Sequence, residues 1–209
     1  MAGHLSAAMP PFAASVDASW REALPELRDE HVTLRELREG DAPSLATHLN
    51  SEGVNRHMAA CPANTEAFVR FVEWTISQRR RGSLMCYGIV PAAQQSAVGL
   101  VQFWPIERNF FTAEWGFVIG ESFWGTGLFQ RAATLAIDSA FSDFGIHRLE
   151  ARAVDTNRRG NRALEKLGAV REGVLRGGFL DHDVVRDHIM WSILAPEWQA
   201  RRRGDAHGR

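Results

Sequence analysis

The sequence predicts a single α/β (α+β) domain with a mixed, mostly antiparallel central sheet, and two observations carry this prediction. Segments that alternate apolar and polar residues lie between segments with the 3.6-residue apolar period of amphipathic helices. Two of the alternating segments, "LMCYGIV" (84–90) and "AVGLVQFW" (97–104), are separated only by "PAAQQS". That loop suits a hairpin and is too short for a crossover helix, so the middle of the sheet is predicted to be antiparallel.

The remaining elements follow in order along the chain. Before the hairpin we expect one strand and two helices: "HVTLREL" (31–37), "GDAPSLATHLN" (40–50, with Asp41 as N-cap) and "NTEAFVRFVEWTISQRR" (64–80). After it come the strand "TAEWGFVIG" (112–120) and the long helix "QRAATLAIDSAFSDF" (130–144). The last four elements are strand, helix, strand and strand: "HRLEARAV" (147–154), "RGNRALEKL" (159–167), "AVREGVLR" (169–176) and "VVRDHIMWSIL" (184–194).

Composition at the two ends predicts less order than in the middle. Residues 1–30, rich in Ala, Pro and Ser, are expected to form a loosely ordered extension. Residues 31–198 form the predicted domain, and residues 199–209 a flexible tail. The run Arg79–Arg81 at the end of the second helix is expected to be solvated, since cations suit a helix C-terminus.

Bulk composition excludes several classes of protein. A formal net charge of −1 gives no general attraction to nucleic acid or to an anionic membrane. Two cysteines in 209 residues indicate a reduced, cytoplasmic protein rather than a disulfide framework. The eight histidines show no HExxH-type spacing, so no metal site is expected. No apolar run approaches the ~20 residues of a membrane span, and the N-terminus does not resemble a signal peptide.

The stretch "WGTGLF" (124–129) marks a turn from strand to helix that is nearly free of side chains. The first N–H groups of a helix have no intrahelical partner and carry partial positive charge, so glycines at such a turn favour a bound phosphate. The alternative is a turn that needs glycine only for its backbone angles. A Walker P-loop is excluded because no lysine follows, and a dinucleotide fingerprint fits poorly because Gln130 occupies its third glycine position.

Five segments, in order, resemble the GNAT superfamily of N-acetyltransferases. They are "AEWGFVI", "WGTG", "DTNRRGNRALEKLGA", "REGVLR" and the closing "PEW". The resemblance is to the branch that contains the ribosomal-protein N-terminal alanine and serine acetyltransferases, and it extends from His31 to Trp198. It implies a GNAT-like domain with a splayed pair of strands, helices on both faces, and acetyl-CoA as co-substrate, without a metal.

The resemblance also implies a binding site for acetyl-CoA. The diphosphate would lie on the backbone of a cradle formed by Gly125, Thr126, Gly127, Leu128 and Phe129. The pantetheine arm would pair with the strand at Phe117, Val118 and Ile119. Asn157 matches the family asparagine near the pantetheine, and Asn161 lies one turn further on. The alternative for Asn157 is an ordinary helix N-cap.

Acetyl transfer to an amine requires a neutral amine, and this requirement separates the candidate acceptors. Deprotonation at pH 7 costs about 1 kcal/mol for an α-amino group and about 4.6 kcal/mol for a lysine amine. Glu114, which matches the glutamate of the family strand, is the candidate base, and the alternative is a surface carboxylate paired with an arginine. A backbone N–H of the splayed strand, around Val118, is expected to polarise the thioester carbonyl.

The acid that protonates the departing thiolate has no clear candidate in the sequence. Gly160 occupies the position at which the ribosomal branch has serine, and Leu164 occupies the position of the tyrosine in other members. The only tyrosine is Tyr87, on another strand. Water and His57 remain as candidates for this acid. Arg131 also departs from the glutamate usual at its position.

These observations predict an acetyl-CoA-dependent N-acetyltransferase that acts on a primary amine, foremost a protein N-terminal α-amine. Two alternatives stay open: an acetyltransferase for small-molecule amines, and a catalytically silent CoA-binding module. Trp104, Phe110 and Phe111 are expected to wall either the acceptor site or the contact of a homodimer.

Overall fold

The computed structural model describes residues 18–58, 61–107, 111–181 and 183–207, and its centre is one eight-stranded sheet. The strands lie in the order β1-β2-β3-β4-β5-β6-β8-β7, and every neighbouring pair is antiparallel except β5–β6. The strands are β1 (Leu27–Arg28), β2 (Val32–Glu36), β3 (Met85–Pro91), β4 (Gly99–Pro105), β5 (Thr112–Ile119), β6 (Arg148–Val154), β7 (Val170–Asp181) and β8 (Val184–Leu194). The helices are α1 (Ala42–Leu49), α2 (Glu52–Asn55), α3 (Thr65–Arg81), α4 (Leu128–Ser142), α5 (Arg158–Leu167) and α6 (Ala195–His207).

Helices cover both faces of the sheet, which confirms the predicted fold class. Leu45 of α1 and Phe68 of α3 belong to a buried cluster on one face. Ala133 and Ile137 of α4 belong to a larger cluster on the other face. Among the described residues, no helix is long and apolar enough to cross a membrane.

The sheet splits between β5 and β6, as the resemblance implied. The two strands pair in parallel only from Thr112 to Glu114, opposite Arg148 to Glu150. Beyond that point β5 continues to Ile119 beside β4 alone, while β6 continues beside β8. The gap between them opens toward the carboxyl ends of both strands, where ligands of α/β proteins commonly bind.

Both ends of the chain are more ordered than the sequence predicted. Trp20 and Leu24 are buried, and β1 pairs with β2, so the expected loose extension is wrong for residues 18–30. Residues 1–17 lie outside the described part of the chain. At the other end α6 continues to His207, so the expected flexible tail is helical to that point. The buried Trp198 anchors α6, since its Nε1 donates to Asp138 Oδ1 at 2.6 Å.

Two charged residues also lie where the sequence did not place them. Arg79 is buried and pairs with Glu36, so the expectation of a solvated arginine run holds only for its exposed neighbours, Arg80 and Arg81. Asp41 precedes α1 but does not cap it with its side chain. Its carboxylate instead accepts hydrogen bonds from both terminal nitrogens of Arg35, each at 2.8 Å. This pairing stabilises the charge of the buried arginine.

Candidate active site

A cavity of about 1350 Å³ occupies the gap between β5 and β6. Phe117 and Val118 both line it, although successive residues of a strand point to opposite faces of the sheet. Phe117 packs with the α4 side and Val118 with the α1–α3 side. The cavity therefore passes through the sheet and is reached from both faces.

Most of the predicted binding residues line this cavity. Those that do are Phe117, Val118, Ile119, Gly125, Gly127, Phe129, Asn157 and Asn161. Thr126, Leu128 and Glu114 do not. Leu128 is buried in the core beneath α4, where its side chain anchors the start of the helix.

The cradle is built by two glycines in the left-handed region. Gly125 has φ 75° and Gly127 has φ 85°, and a Cβ placed on either would meet no atom within 4 Å. Glycine is therefore required by the backbone angles, and the space in front of the backbone is open. The first intrahelical bond of α4 runs from Arg131 N–H to Gly127 O, which leaves the N–H groups of residues 127–130 without an intrahelical acceptor.

Thr126 has a structural part in this loop. Its hydroxyl donates to Phe123 O at 2.8 Å and accepts from Leu128 N–H at 3.3 Å. The cradle therefore presents fewer donors than the five residues suggested, since the N–H of Leu128 already has a partner. The N–H groups of Gly127, Phe129 and Gln130 are the remaining helix-terminal donors.

The two asparagines hold α5 in place. Asn157 Oδ1 accepts from Gly160 N–H at 2.9 Å, which is the N-cap contact that stood as the alternative for this residue. Asn161 Nδ2 donates to the carbonyls of Val154 and Asn157, both at 2.9 Å. Asn161 Oδ1 accepts from Trp191 Nε1 at 2.8 Å. Asn161 thus ties α5 to β6 and β8 and forms part of the cavity wall.

The same cap explains the glycine at position 160. A Cβ on Gly160 would lie 2.6 Å from Asn157 Nδ2, closer than real Cβ atoms approach. A serine here would require the capping side chain to move. The only tyrosine, Tyr87, is fully buried in the core, whereas His57, the candidate side chain for the thiolate acid, lines the cavity.

Glu114 lies at the end of the β5–β6 pairing, opposite Glu150. Its Oε2 is 3.7 Å from Arg152 Nη2, so the ion pair considered as the alternative for Glu114 is present. His188 of β8 lies near both groups. Burial lowers the pKa of His188 and the charge of Arg152 lowers it further, while Glu114 acts in the opposite sense. The imidazole of His188 and the partly exposed carboxylate of Glu114 therefore share this face of the sheet.

Basic side chains on α5 form a wall of the cavity that the sequence analysis did not single out. They are Arg158, Arg159, Arg162 and Lys166, three of which recur at i, i+4 spacing. That spacing was a usable signal for one charged helix face. The guanidinium carbon of Arg159 lies 3.4 Å from the ring centroid of Trp124, a contact that no local pattern predicts.

The aromatic residues divide between core and surface. Trp104 packs against the cluster beneath α1 and α3, and Phe111 is exposed and stacks on His147 with centroids 4.7 Å apart. Neither residue lines the cavity, so the cavity lining does not support the prediction that they wall the acceptor site. Phe110 lies outside the described residues. Within the described chain, no three His, Cys, Asp or Glu side chains converge to hold a metal ion.

Comparison with known proteins agrees with this geometry. A family model described as an acetyltransferase (GNAT) domain matches residues 31–170. A Bacillus subtilis (strain 168) protein named "Probable N-acetyltransferase YjcK" is 32% identical over 112 residues, which are 53% of this chain and 62% of that protein. The ribosomal protein uS5-alanine N-acetyltransferase of Escherichia coli (strain K12) is 29% identical over 124 residues, 59% of this chain and 64% of that enzyme.

In both relatives the matched part is less than two thirds of the relative's length. A solved structure of Mycobacterium smegmatis RimJ in complex with CoA-disulfide superposes with a TM-score of 0.75 at 22% identity. It covers 88% of this chain and 94% of that one, and at this identity it shows the fold. Because the family model matches about two thirds of the sequence, from the first core strand through the cradle to α5, the chain belongs to the GNAT acetyltransferase family.

Proposed function

We propose that this protein is an acetyl-CoA-dependent N-acetyltransferase whose acceptor is a protein N-terminal α-amine. The observation that carries the proposal is the cavity that joins the N-terminus of α4 to the β5–β6 gap and passes through the sheet. Such a cavity lets a thioester enter from the α4 face and an amine from the opposite face. The two reactants then meet inside the sheet, shielded from bulk water.

Each wall of the cavity has a part in this proposal. The helix-terminal N–H groups of the cradle bind the diphosphate of acetyl-CoA. The pantetheine arm lies along residues 117–119 of β5, whose edge toward β6 is unpaired beyond Glu114. Along β5 the backbone groups alternate: Gly120 N–H donates to Val98 O, and Val118, in register with Leu100, likewise faces β4. The predicted N–H of Val118 is therefore replaced by those of Phe117 and Ile119, which face the open edge, pair with the arm as an added strand would, and offer an N–H to the thioester carbonyl.

Two arguments favour an α-amine as the acceptor. The first is the E. coli relative, which is named as an alanine N-acetyltransferase for a ribosomal protein. The second is the small demand that an α-amine places on the base, since its deprotonation at pH 7 costs about 1 kcal/mol, against about 4.6 kcal/mol for lysine. Glu114, the proposed base, is engaged with Arg152 at 3.7 Å and lies outside the cavity lining, so the less demanding acceptor is favoured.

The test is acetylation of defined peptides followed by mass spectrometry. Peptides beginning with Ala or Ser and containing one internal lysine are incubated with acetyl-CoA, and fragmentation locates the acetyl group. The matched control is the same peptide with a blocked N-terminus. Acetylation at the N-terminus alone supports the proposal, and acetylation of lysine or of polyamines and aminoglycosides in parallel reactions contradicts the proposed acceptor.

Binding measurements distinguish an enzyme from a catalytically silent CoA-binding module. If calorimetry shows CoA binding but no amine is acetylated, the protein is a silent CoA-binding module. If the protein binds neither CoA nor acetyl-CoA, the proposed function is wrong as a whole.

A further inference from the structure

Arg159 and Trp124 form a stacked pair that bridges the two walls of the cavity. Trp124 directly precedes the cradle, and its Nε1 donates to Ile119 O at 3.1 Å, which fixes the indole to the end of β5. Arg159 lies in the first turn of α5, on the other side of the β5–β6 gap. Both residues line the cavity. The stack therefore sets the guanidinium beside the cradle although it belongs to the opposite wall.

The stack orients the guanidinium without using its hydrogen bonds. With its carbon 3.4 Å from the ring centroid, the group presents one face to the indole. Its five N–H groups lie in the guanidinium plane and stay available to an acceptor. At an exposed site a cation–π contact is worth about 0.5–1 kcal/mol, enough to favour one position of a long side chain.

This oriented charge has no acidic partner in the described part of the chain, where no carboxylate forms an ion pair with Arg159. A planar fork of donors suits a phosphate better than a point charge does, because it can donate two parallel hydrogen bonds. The stack also indicates which phosphate Arg159 would contact. Arg159 is held on Trp124, the residue next to Gly125, whereas among the described residues no such stack holds Arg162 or Lys166.

We propose that Arg159 is the side-chain half of the diphosphate site. The diphosphate is held between the backbone N–H groups of the cradle on one wall and the guanidinium of Arg159 on the other, with Trp124 as the residue that positions the guanidinium. This inference rests on the proposed function, since it takes CoA as the ligand.

The test compares two charge-removing variants with two ligands by calorimetry. Arg159→Gln removes the stacked guanidinium, and Arg162→Gln is the matched control, because it removes the same charge from the same helix and the same cavity wall. The ligands are CoA and dephospho-CoA, which share the diphosphate and differ in the 3′-phosphate.

We expect Arg159→Gln to raise the Kd of both ligands by the same factor, about ten- to hundredfold, as for the loss of a charge-assisted hydrogen bond. Arg159→Lys keeps the charge but loses the planar fork, and we expect a smaller loss that is again equal for both ligands. Arg162→Gln, on the same wall but without a stacked partner, is expected to weaken the binding of dephospho-CoA less than Arg159→Gln does.

Three results would overturn the inference. They are unchanged binding in Arg159→Gln, a loss that appears with CoA but disappears with dephospho-CoA, and an equal loss in Arg162→Gln with dephospho-CoA. The second would assign Arg159 to the 3′-phosphate, and the third would reduce its effect to a general positive field. An unmodified protein that fails to bind CoA contradicts the proposed function itself, so the two failures are distinguishable.

Discussion

Replacing Gly127 by alanine tests the cradle directly. The residue has φ 85° and ψ −12°, and it caps the N-terminus of α4. A Cβ there meets no protein atom within 4 Å, so the substitution causes no clash within the protein. It has two effects: it places a methyl group in front of the backbone that is proposed to hold the diphosphate, and it forces a non-glycine residue into the left-handed region.

Gly145 allows the second effect to be measured alone. It has φ 64°, and a Cβ there also meets nothing within 4 Å. It follows the far end of α4, about 20 Å from Gly127 at 1.5 Å per residue. Gly145→Ala thus carries the same kind of backbone strain, about 1–2 kcal/mol, at a place that does not line the cavity.

We expect the two variants to lose similar stability in urea unfolding and to differ in CoA binding. Loss of one charge-assisted hydrogen bond to the diphosphate is worth about 1.5–3 kcal/mol, or roughly ten- to hundredfold in Kd. Calorimetry should therefore show CoA affinity reduced at least about tenfold in Gly127→Ala and nearly unchanged in Gly145→Ala. Equal CoA affinity in the two variants would show that the glycines serve the turn alone.

Three further substitutions test the base, the buried ion pair and the missing serine. Glu114→Gln should lower kcat/KM mainly below the pH at which the amine deprotonates itself, and an equal loss at every pH would indicate a structural role. Asp41→Asn should cost about 3–5 kcal/mol in urea unfolding at pH 7, because it leaves Arg35 buried without its partner. Burial alone would raise the pKa of Asp41, but hydrogen bonds from Arg35 and from backbone N–H groups lower it overall. The difference in unfolding free energy between the unmodified protein and Asp41→Asn should therefore be complete above about pH 4 and decline as the pH falls below that value. Gly160→Ser should displace the Asn157 cap and cost about 1 kcal/mol, and a gain in turnover without loss of stability would contradict this expectation.

Much of the fold could be predicted because its signals are local. Period-two alternation located the central strands, and the absence of a crossover between "LMCYGIV" and "AVGLVQFW" predicted their antiparallel pairing. The cradle was predictable for the same reason, since two glycines at a strand-to-helix turn have few alternatives to positive φ. Cavity-lining positions in the cradle and on β5 followed from the family resemblance.

The features that escaped the sequence depend on partners distant along the chain. Arg79 is buried because Glu36 lies beside it, 43 residues away. Glu114 meets Arg152 because β5 and β6 pair in parallel, a register that neither strand encodes by itself. The contact of Arg159 with Trp124 likewise requires the β5–β6 gap to have its observed width. Such contacts appear only when the topology is known.

The cavity separates two parts of the molecule that are each held together internally. On one side Trp124 is hydrogen bonded to Ile119, and on the other Asn161 ties α5 to β6 and β8. In the described part of the chain, the contacts that join them near the rim include the Arg159–Trp124 stack and a hydrogen bond from Gln130 Nε2 to Ala163 O at 3.2 Å.

A ligand held by both walls should therefore stabilise both parts together, whereas one held by the cradle alone should stabilise only the cradle side. At a free concentration of 100 Kd, bound CoA adds about 2.7 kcal/mol to the native state. We expect hydrogen exchange with saturating CoA to slow in the first turns of both α4 and α5. In Arg159→Gln, brought to the same saturation with more CoA, the protection should persist in α4 and largely disappear in α5. Protection of α5 that is undiminished in the variant would show that the second wall is held by other contacts, and that the diphosphate is bound by the cradle alone.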